Sequence, residues 1–397
     1  MLKTAPCLDR AKPMRHLRVP SEETQQWLDF CRKKRWIMPS AGVLTFDNGM
    51  KGIPILDSAP DEGNEFWQGN SIITAQGLTR GPEHWSERLN EETLSQIIDT
   101  LPKSHEIQGD ILMVKIDQSI EEYYQEIAHA MLEQFPSIRL VCADKGVKGD
   151  FRVRDLLPIS SRDGNKSTRT KIRENGQSIW TDPAKAYFSA RLSNERIQNL
   201  SSAIDLKNKL NRKLRVCDPY AGVGPGIIPL VIEDDLISHC AVGDLNPDAF
   251  ELLELNFQEL ISKNKITGKK LLLENIDART WKNTIQEFGQ IDLLLVNLPH
   301  DSINHLPELI PLLSRGSLTK IIGWAIIEKS ELIDFEKEII DILKHANAEI
   351  KSVNSSEVKG FSSTKIFMRF ETEQIIHKAF NSSRWTVSQY HGRHSEM

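Results

Sequence analysis

A glycine-rich turn between a strand and a helix constrains this chain more than any other stretch. The turn, Asp218-Pro219-Tyr220-Ala221-Gly222-Val223-Gly224-Pro225-Gly226, follows an apolar run at 214–217 and precedes a predicted helix at 227–232. Asp244 lies 20 positions after Gly224, at the end of the next predicted strand. Glycines let the backbone approach a ligand, and a carboxylate accepts hydrogen bonds from both hydroxyls of a ribose. The pattern therefore predicts a doubly wound α/β domain that holds a nucleoside cofactor.

The spacing of the glycines indicates which cofactor the turn holds. A dinucleotide-binding turn needs its third glycine at position 227, where this chain has Ile227. The observed G-x-G-x-G spacing is common in S-adenosylmethionine methyltransferases, whose cofactor has no pyrophosphate to cradle. A plain glycine-rich loop is the alternative reading. The sequence predicts S-adenosylmethionine as cofactor, with these binding residues in and after the turn: Asp218, Tyr220, Gly222, Gly224 and Asp244.

The distribution of charge favours a polyanionic partner in spite of the acidic total. The 397 residues carry a formal net charge of −5, yet residues 139–215 contain 18 Lys and Arg against 8 Asp and Glu. A second basic cluster is Arg32-Lys33-Lys34-Arg35. A basic block in an acidic chain suits binding of a nucleic acid over one limited face, with solvated surface charge as the alternative.

Cysteine usage and hydropathy argue against several other classes of protein. The five cysteines, at positions 7, 31, 142, 217 and 240, show no spacing typical of a zinc site or a disulfide framework. No early apolar stretch resembles a signal peptide, and no run approaches a membrane span. We expect a cytoplasmic, monomeric protein that binds neither membrane nor metal.

Predicted elements divide the chain into four regions. From residue 193 onward strands alternate with helices, which predicts a parallel sheet with crossover helices. The expected fold is α/β: a C-terminal class I, Rossmann-like methyltransferase sheet with two smaller N-terminal α+β domains. The boundaries are 1–80 for a small N-terminal domain with leader and linker, 81–192 for a second α+β domain, 193–372 for the cofactor-binding domain and 373–397 for a tail.

Two polar residues follow later strands of the predicted sheet. Asn297, in Asn297-Leu298-Pro299, ends an apolar strand, so its amide can orient a heterocycle beside the cofactor. Enzymes that methylate exocyclic amines of bases usually carry Asn-Pro-Pro-aromatic here. This chain has Leu at the second position and His300 at the fourth, which disfavours methylation of an exocyclic amine. Asp277 follows the third strand and can accept a bond from the adenine amino group. A plain turn and a helix cap are the respective alternatives.

Several upstream segments together resemble one family. They are Lys148-Gly149-Asp150-Phe151-Arg152-Val153-Arg154, Glu174-Asn175-Gly176 and Tyr187-Phe188-Ser189-Ala190-Arg191-Leu192-Ser193-Asn194-Glu195-Arg196. With the glycine turn and Asn-Leu-Pro, they occur in the order seen in archaeal and eukaryotic tRNA (guanine-N1) methyltransferases, which act on guanosine 37 next to the anticodon. The resemblance covers roughly residues 84 to 370. It implies that the small domain at 1–80 binds tRNA and that the domain at 81–192 binds RNA and contributes catalytic residues. One departure is Asp155-Leu156-Leu157, where the family has Glu-Leu-Glu after the second arginine.

The resemblance implies a role for each matching residue. Guanine N1 carries a proton at neutral pH, so methylation needs a base, and charge building on O6 needs a donor. By resemblance Glu195 is the general base, Arg152 is the O6 donor and Asn297 holds the target base. Further substrate contacts are implied for Tyr187, Arg191, Arg154 and Pro299. Without the resemblance, Glu195-Arg196 would be interpreted as an exposed ion pair on a helix.

Two other functions compete with this interpretation. A sister class of enzymes transfers the aminocarboxypropyl group of the same cofactor to the tricyclic base made from the methylated guanosine, and some relatives methylate that intermediate. The sister class lacks Arg-Leu-x-x-Glu-Arg and has Gly-Asn after Phe-Ser, so Phe188-Ser189-Ala190-Arg191 favours the methyltransferase. A non-catalytic tRNA-binding module predicts loss of the glycine turn, Asp244 or Glu195, all of which are intact.

Overall fold

The structure, a computed structural model, describes residues 10–38, 41–46, 49–79, 81–283 and 290–377. The described chain separates into two compact units. One contains the residues up to Leu101 together with His129–Pro136, and the other contains Pro102–Ala128 and the residues from Ser137 onward. Across the described ranges, no helix has both the length and the apolar character to cross a membrane.

The first unit is built on a five-stranded antiparallel sheet with the order β2-β5-β1-β4-β3. A buried cluster that includes Leu17, Trp27, Ile53 and Trp67 forms its core. A 3-10 turn begins at Ser21, and the α-helix that follows begins three residues later. The elements are β1 Arg10–Pro20, α1 Thr24–Lys33, β2 Ala41–Gly42, β3 Leu44–Thr45, β4 Met50–Pro54, β5 Ile72–Thr79 and α2 Glu91–Ile97.

Residues 105–181 form a four-stranded sheet and a hairpin. The sheet has the order β6-β7-β8-β9. β7 and β8 are parallel, and α3 lies in the crossover connection that a parallel pair requires. The hairpin pairs β10 with β11. The elements are β6 His105–Gln108, β7 Ile111–Val114, α3 Tyr124–Gln134, β8 Leu140–Lys148, β9 Val153–Ser161, β10 Thr170–Glu174 and β11 Gln177–Thr181.

A seven-stranded sheet with helices on both faces forms the C-terminal part. Its order is β14-β13-β12-β15-β16-β18-β17; the first five strands are parallel, and β18 runs antiparallel to both neighbours. This confirms the predicted α/β methyltransferase fold. The elements are α4 Ser193–Leu210, β12 Leu214–Asp218, α5 Ile228–Ile232, β13 Ile237–Gly243, α6 Pro247–Ser262, β14 Lys270–Glu274, β15 Leu293–Val296, α7 Ser302–Leu309, β16 Leu318–Glu328, α8 Leu332–His345, β17 Ala348–Gly360 and β18 Lys365–Ile376.

Consecutive side chains of the central strands pack into two separate hydrophobic cores, because successive side chains of a strand point to opposite faces of the sheet. Val216 and Leu293 belong to the core under one helical layer, and Cys217 and Leu294 belong to the other. Such strands are apolar throughout, as the sequence of β15 is.

The position of the site follows from the strand order. The chain winds outward from β12 through β13 and β14 on one side and through β15 and β16 on the other. The carboxyl ends of β12 and β15 therefore flank the point at which the winding reverses, where doubly wound sheets bind their ligands. β18 extends to Ile376, past the residue at which the sequence predicts a tail to begin, and 378–397 lie outside the described residues.

Candidate active site

The glycine turn is held against the end of the next strand by one carboxylate. The Gly222 N–H donates to Asp244 Oδ2 over 2.8 Å, and the Asn246 N–H donates to Asp244 Oδ1 over 2.9 Å. Gly224 has a φ of +93°, and a Cβ there would lie 2.9 Å from Leu253 Cδ1, so a larger residue would strain the turn. Asp244 is only half-buried, and each of its oxygens keeps a lone pair for another donor.

Asp218 ends β12 beneath the turn and is 2% exposed. Burial raises the pKa of Asp218 to about 7; the Tyr220 N–H, which donates to Oδ1 over 3.3 Å, opposes the rise, and the charge of Asp244 adds to it. Burial disfavours the charged form of a carboxylate that has no cationic partner, and partial protonation at neutral pH relieves this penalty. A ligand that brings a donor or a positive charge to Asp218 would therefore be favoured.

Two other predicted cofactor residues already have protein partners. The Tyr220 hydroxyl lies 2.7 Å from His305 Nδ1, whose other ring nitrogen lies 3.4 Å from Asp301 Oδ2. Asp277 accepts from the Arg279 backbone N–H over 3.0 Å and forms an ion pair with the Arg279 side chain at 2.6 Å. Bonds from the Arg279 side chain lower the pKa of Asp277, and the backbone bond is the contact expected of the helix cap that was the alternative interpretation.

Glu195 is buried in a cavity at the carboxyl edge of the sheet. It lies in the first turn of α4, its side chain is 11% exposed, and its Oε2 has no hydrogen-bond partner among the described residues. The cavity is small, with a volume of about 20 Å³, and is also lined by Asp218, Gly226 and Asn297. The structure therefore brings the predicted base, the predicted amide and the glycine turn into one site.

The simple interpretation of Glu195 and Arg196 as an exposed ion pair is wrong. Both residues are buried, and Arg196 pairs instead with Glu174 of β10, at 2.6 Å between Nη1 and Oε2. Arg196 also donates to the Ser189 carbonyl oxygen and lies over the ring of Phe188, 5.0 Å from its centre. These contacts fix the start of α4 and leave Glu195 to face the cavity.

Asn297 is exposed directly after β15 and lines the cavity with its side chain free of hydrogen bonds to the described residues. Pro299, two residues later, is half-buried, and its carbonyl oxygen accepts from the Ile326 N–H over 2.7 Å. This bond anchors the Asn-Leu-Pro turn to β16, so the turn presents the Asn297 amide from a fixed backbone.

The structure distinguishes the two arginines that the sequence proposes as substrate donors. Arg154 is paired with Asp144 at 2.6 Å and also with Glu106. Arg152 is exposed, has a φ of +51° in the turn before β9, and its side chain has no ion pair within the described ranges. Burial and then the charge of Arg152 lower the pKa of His300, which places Arg152 within electrostatic reach of the Asn-Leu-Pro turn. Arg152 is thus available to a ligand, whereas Arg154 is already neutralised.

The remaining predicted substrate residues lie on the surface leading to α4. Tyr187 is 62% exposed, and its carbonyl oxygen would lie 3.8 Å from a Cβ on Gly222. Arg191 is exposed in the 3-10 turn before α4. Neither residue lines the cavity that contains Glu195.

Sequence reasoning missed three residues of the site. Trp324 of β16 lines the cavity, His305 contacts Tyr220, and Arg369 of β18 lies 3.7 Å from Glu195. The available signal for Arg369 was its place in a strand where charged residues recur at every second position, at Arg369, Glu371 and Glu373. Such a pattern indicates a charged face, but it does not identify the facing helix.

Two domain families match the sequence. Residues 170–354 match the TRM5/TYW2 methyltransferase domain, and residues 85–160 match the TYW2 N-terminal domain. The first match includes Glu195, the glycine turn and Asn297, and the second includes both candidate arginines.

Curated relatives of known activity also match. Trm5b of Pyrococcus abyssi, a tRNA (guanine(37)-N(1))-methyltransferase, is 30% identical over 261 residues, which are 65% of this chain and 71% of the relative. The enzyme of the same name from Methanocaldococcus jannaschii is 27% identical over 62% of this chain and 64% of its own length. A tRNA (guanine(37)-N(1))-methyltransferase of Vitis vinifera is 29% identical over 69% of this chain and 44% of its own length.

Solved structures support the fold. The crystal structure of wild-type Trm5b from Pyrococcus abyssi matches with a TM-score of 0.59 and 21% identity, over 91% of this chain and 99% of that one. A complex of aTrm5 with tRNALeu matches with a TM-score of 0.60 and 22% identity over the same shares of the two chains. On the strength of its sequence match to Trm5b, this chain belongs to the tRNA (guanine(37)-N(1))-methyltransferase family.

Proposed function

We propose that this protein transfers a methyl group from S-adenosylmethionine to N1 of guanosine 37 in tRNA, with Glu195 as general base. The observation that carries the proposal is the single cavity in which the Glu195 carboxylate and the Asn297 amide meet the glycine turn. The family to which the chain belongs supports the reaction, and the neighbouring structure of aTrm5 with tRNALeu supports tRNA as the substrate.

The residues of the glycine turn fit S-adenosylmethionine. Asp244 keeps acceptor capacity for ribose hydroxyls, and Asp218 is a buried carboxylate without a charged partner of opposite sign within the described ranges. Gly226 lies beside this carboxylate, because a Cβ on it would be 3.7 Å from Asp218 Oδ2. When bound, the cofactor supplies a methyl group on a positively charged sulfur.

Glu195 makes guanine N1 nucleophilic. The N1 proton blocks attack at neutral pH, and a buried carboxylate with an unpartnered oxygen can accept it. Asn297 offers both a donor and an acceptor to the edge of the base, which fixes the ring with N1 towards Glu195. The proton leaves N1 for Glu195 as the new N–C bond forms, so no charged guanine accumulates.

Arg152 stabilises the charge that develops on O6. As N1 loses its proton, electron density moves into the neighbouring carbonyl, and a guanidinium beside O6 compensates it. Arg152 can approach a bound base because its side chain has no ion pair with the described residues, and Tyr187 and Arg191 lie on the exposed path that the anticodon loop would contact. The pairs that hold Arg154 give it a structural role.

The oligomeric state, the metal-independent reaction and the cytoplasmic location remain predictions from the sequence. In the part of the chain that the structure describes, there is no group of three or more His, Cys, Asp or Glu placed to hold a metal ion. Light scattering on the purified protein tests the expected monomer, and activity in the presence of a chelator tests the independence from metal.

The reaction itself is tested by product analysis. Purified protein is incubated with S-adenosylmethionine labelled in its methyl group and unmodified tRNA transcripts carrying either guanosine or adenosine at position 37. Digestion and mass spectrometry should yield 1-methylguanosine from the first transcript and no labelled nucleoside from the second. Methylation of an exocyclic amine, label at another position, or transfer of the aminocarboxypropyl group instead of methyl would contradict the proposal.

A further inference from the structure

Two buried side chains of opposite charge face each other behind the cavity. Glu195 Oε2 lies 3.7 Å from Arg369 Nε, and the side chains are 11% and 7% exposed. Neither atom has a hydrogen-bond partner among the described residues. Buried polar atoms are normally paired, so this facing pair calls for a reason.

The separation leaves the Glu195 oxygen without a hydrogen bond to Arg369. At 3.7 Å the two atoms are beyond hydrogen-bond range but still attract strongly in a buried setting. A direct bond would tie the carboxylate oxygen to the arginine and remove it from the cavity. The observed arrangement keeps the lone pairs free for a proton from a bound base.

Other contacts hold Arg369 in place on β18. Its Nη2 donates to Glu371 Oε2 over 3.1 Å and lies 3.4 Å from Asn199 Oδ1 of α4. Glu371 is held in turn by the Ser202 hydroxyl at 2.7 Å and by Lys320 Nζ at 2.6 Å. The guanidinium is therefore fixed between two strands and the helix that carries Glu195.

Charges around Glu195 leave Arg369 as its counterion. On α4, Arg196 is neutralised by Glu174, and on β12 the neighbouring group is the acidic Asp218. Lys320 of β16 is surrounded by three carboxylates, those of Glu371, Glu373 and Asp205, at 2.6, 3.1 and 3.4 Å. Within the described part of the chain, Arg369 is thus the one cation paired with Glu195.

We propose that Arg369 is a positioning residue that keeps Glu195 ionised and aimed into the cavity, so that it can act as the base. The inference rests on the proposed function of Glu195. A carboxylate in a buried site beside Asp218 would otherwise take a proton from solvent, and a protonated Glu195 cannot accept the N1 proton. The positive charge of Arg369, 3.7 Å from the carboxylate, opposes that protonation.

The test is the pH dependence of single-turnover methylation of a guanosine-37 transcript. Arg369→Gln removes the charge, whereas Arg369→Lys retains it. In the wild type, the rate should fall at low pH as Glu195 is protonated. In Arg369→Gln this acid limb should move up by roughly 1 to 3 pH units, the usual effect of losing an adjacent opposite charge on a carboxylate. Arg369→Lys should return the acid limb most of the way to its wild-type position.

A second variant moves the limb in the opposite direction. Glu371→Gln removes the carboxylate that shares Arg369, so Glu195 should ionise at lower pH and the acid limb should move down. This result remains decisive if Arg369→Gln does not fold. A merely structural role for Arg369 would lower the rate equally at all pH values in either variant.

Glu195→Gln separates this inference from the proposed function. It should abolish the acid limb, and its slow rate should rise only as guanine loses its own proton. A wild-type rate and profile in Glu195→Gln would overturn the base itself. A slow Glu195→Gln together with unshifted limbs in Arg369→Gln or Glu371→Gln would leave the base in place and overturn only the inference about Arg369.

Discussion

Replacing Asp244 by alanine tests how the glycine turn holds the cofactor. The carboxylate accepts from the backbone N–H groups of Gly222 and Asn246 over 2.8 and 2.9 Å, and it retains lone pairs for the ribose. The substitution removes both of these functions. It should therefore weaken cofactor binding and loosen the turn, while leaving the surfaces that would contact tRNA unchanged.

The contacts set the expected magnitude. Loss of an acceptor that leaves a partly buried donor unpaired costs about 1 to 3 kcal/mol. Solvent can reach the half-buried site and replace part of each lost bond, so the loss should not exceed this range. We therefore expect the cofactor affinity to fall by roughly 5- to 150-fold. Affinity for tRNA should stay within about twofold, because no phosphate contact changes.

Calorimetric titration with S-adenosylmethionine measures this change, and thermal unfolding without cofactor reports any loss of stability. Asp334→Ala, at an exposed position on α8, is the matched control and should bind as the wild type does. Asp277→Ala should have a milder effect than Asp244→Ala, because Arg279 already occupies its carboxylate. Unaltered cofactor affinity in Asp244→Ala would refute the placement of the ribose at this residue.

Three further predictions follow from the charges. Arg152→Ala should slow single-turnover methylation by about 10- to 1,000-fold, the cost of losing one transition-state donor, and Arg154→Ala should be milder; the reverse order would assign O6 to Arg154. Asp218, whose pKa burial raises to about 7, should make the ligand-free protein lose up to about 4 kcal/mol of unfolding free energy as pH rises from about 4 to 7. Urea titrations of Asp218→Asn should lack this slope, and an unchanged slope would contradict it. The double substitution Lys33→Gln and Lys34→Gln, at the basic end of α1, should reduce the slope of log binding constant against log salt concentration for tRNA. The expected reduction is about 0.9 per lost phosphate contact, and an unchanged slope would show that this surface does not touch RNA.

Local patterns predicted that the glycine turn, Asp244 and Asn297 would lie at one edge of the sheet. The glycine turn, Asp244 and Asn297 each follow a strand, and the carboxyl ends of neighbouring parallel strands share one edge. Their proximity is therefore a consequence of strand order. The resemblance then added Glu195, which the structure places in the same cavity.

Partner choice among charged residues was not predictable in this way. Arg196 pairs with Glu174 of β10 and not with its neighbour Glu195. Glu195, on α4, faces Arg369 of β18, a strand near the end of the described chain. The packing of α4 on the sheet decides these pairs. When the two members of an ion pair lie on different elements, no characteristic spacing in the sequence predicts the pair. The position of Arg152 depends likewise on a turn that runs from Gly149 to Arg152, both of which have a positive φ, whereas Arg154 lies in β9.

The rate of a single turnover by Glu195→Gln tests the central claim most directly. Glutamine keeps the size of the side chain but cannot take the N1 proton, and general-base help is worth about 10² to 10⁴ in rate. With enzyme in excess over a guanosine-37 transcript and saturating S-adenosylmethionine at pH 7, we expect a loss of that size with near-normal binding of both substrates. Glu254→Gln, at an exposed position on α6, should keep the wild-type rate. A near-normal rate in Glu195→Gln would contradict the mechanism.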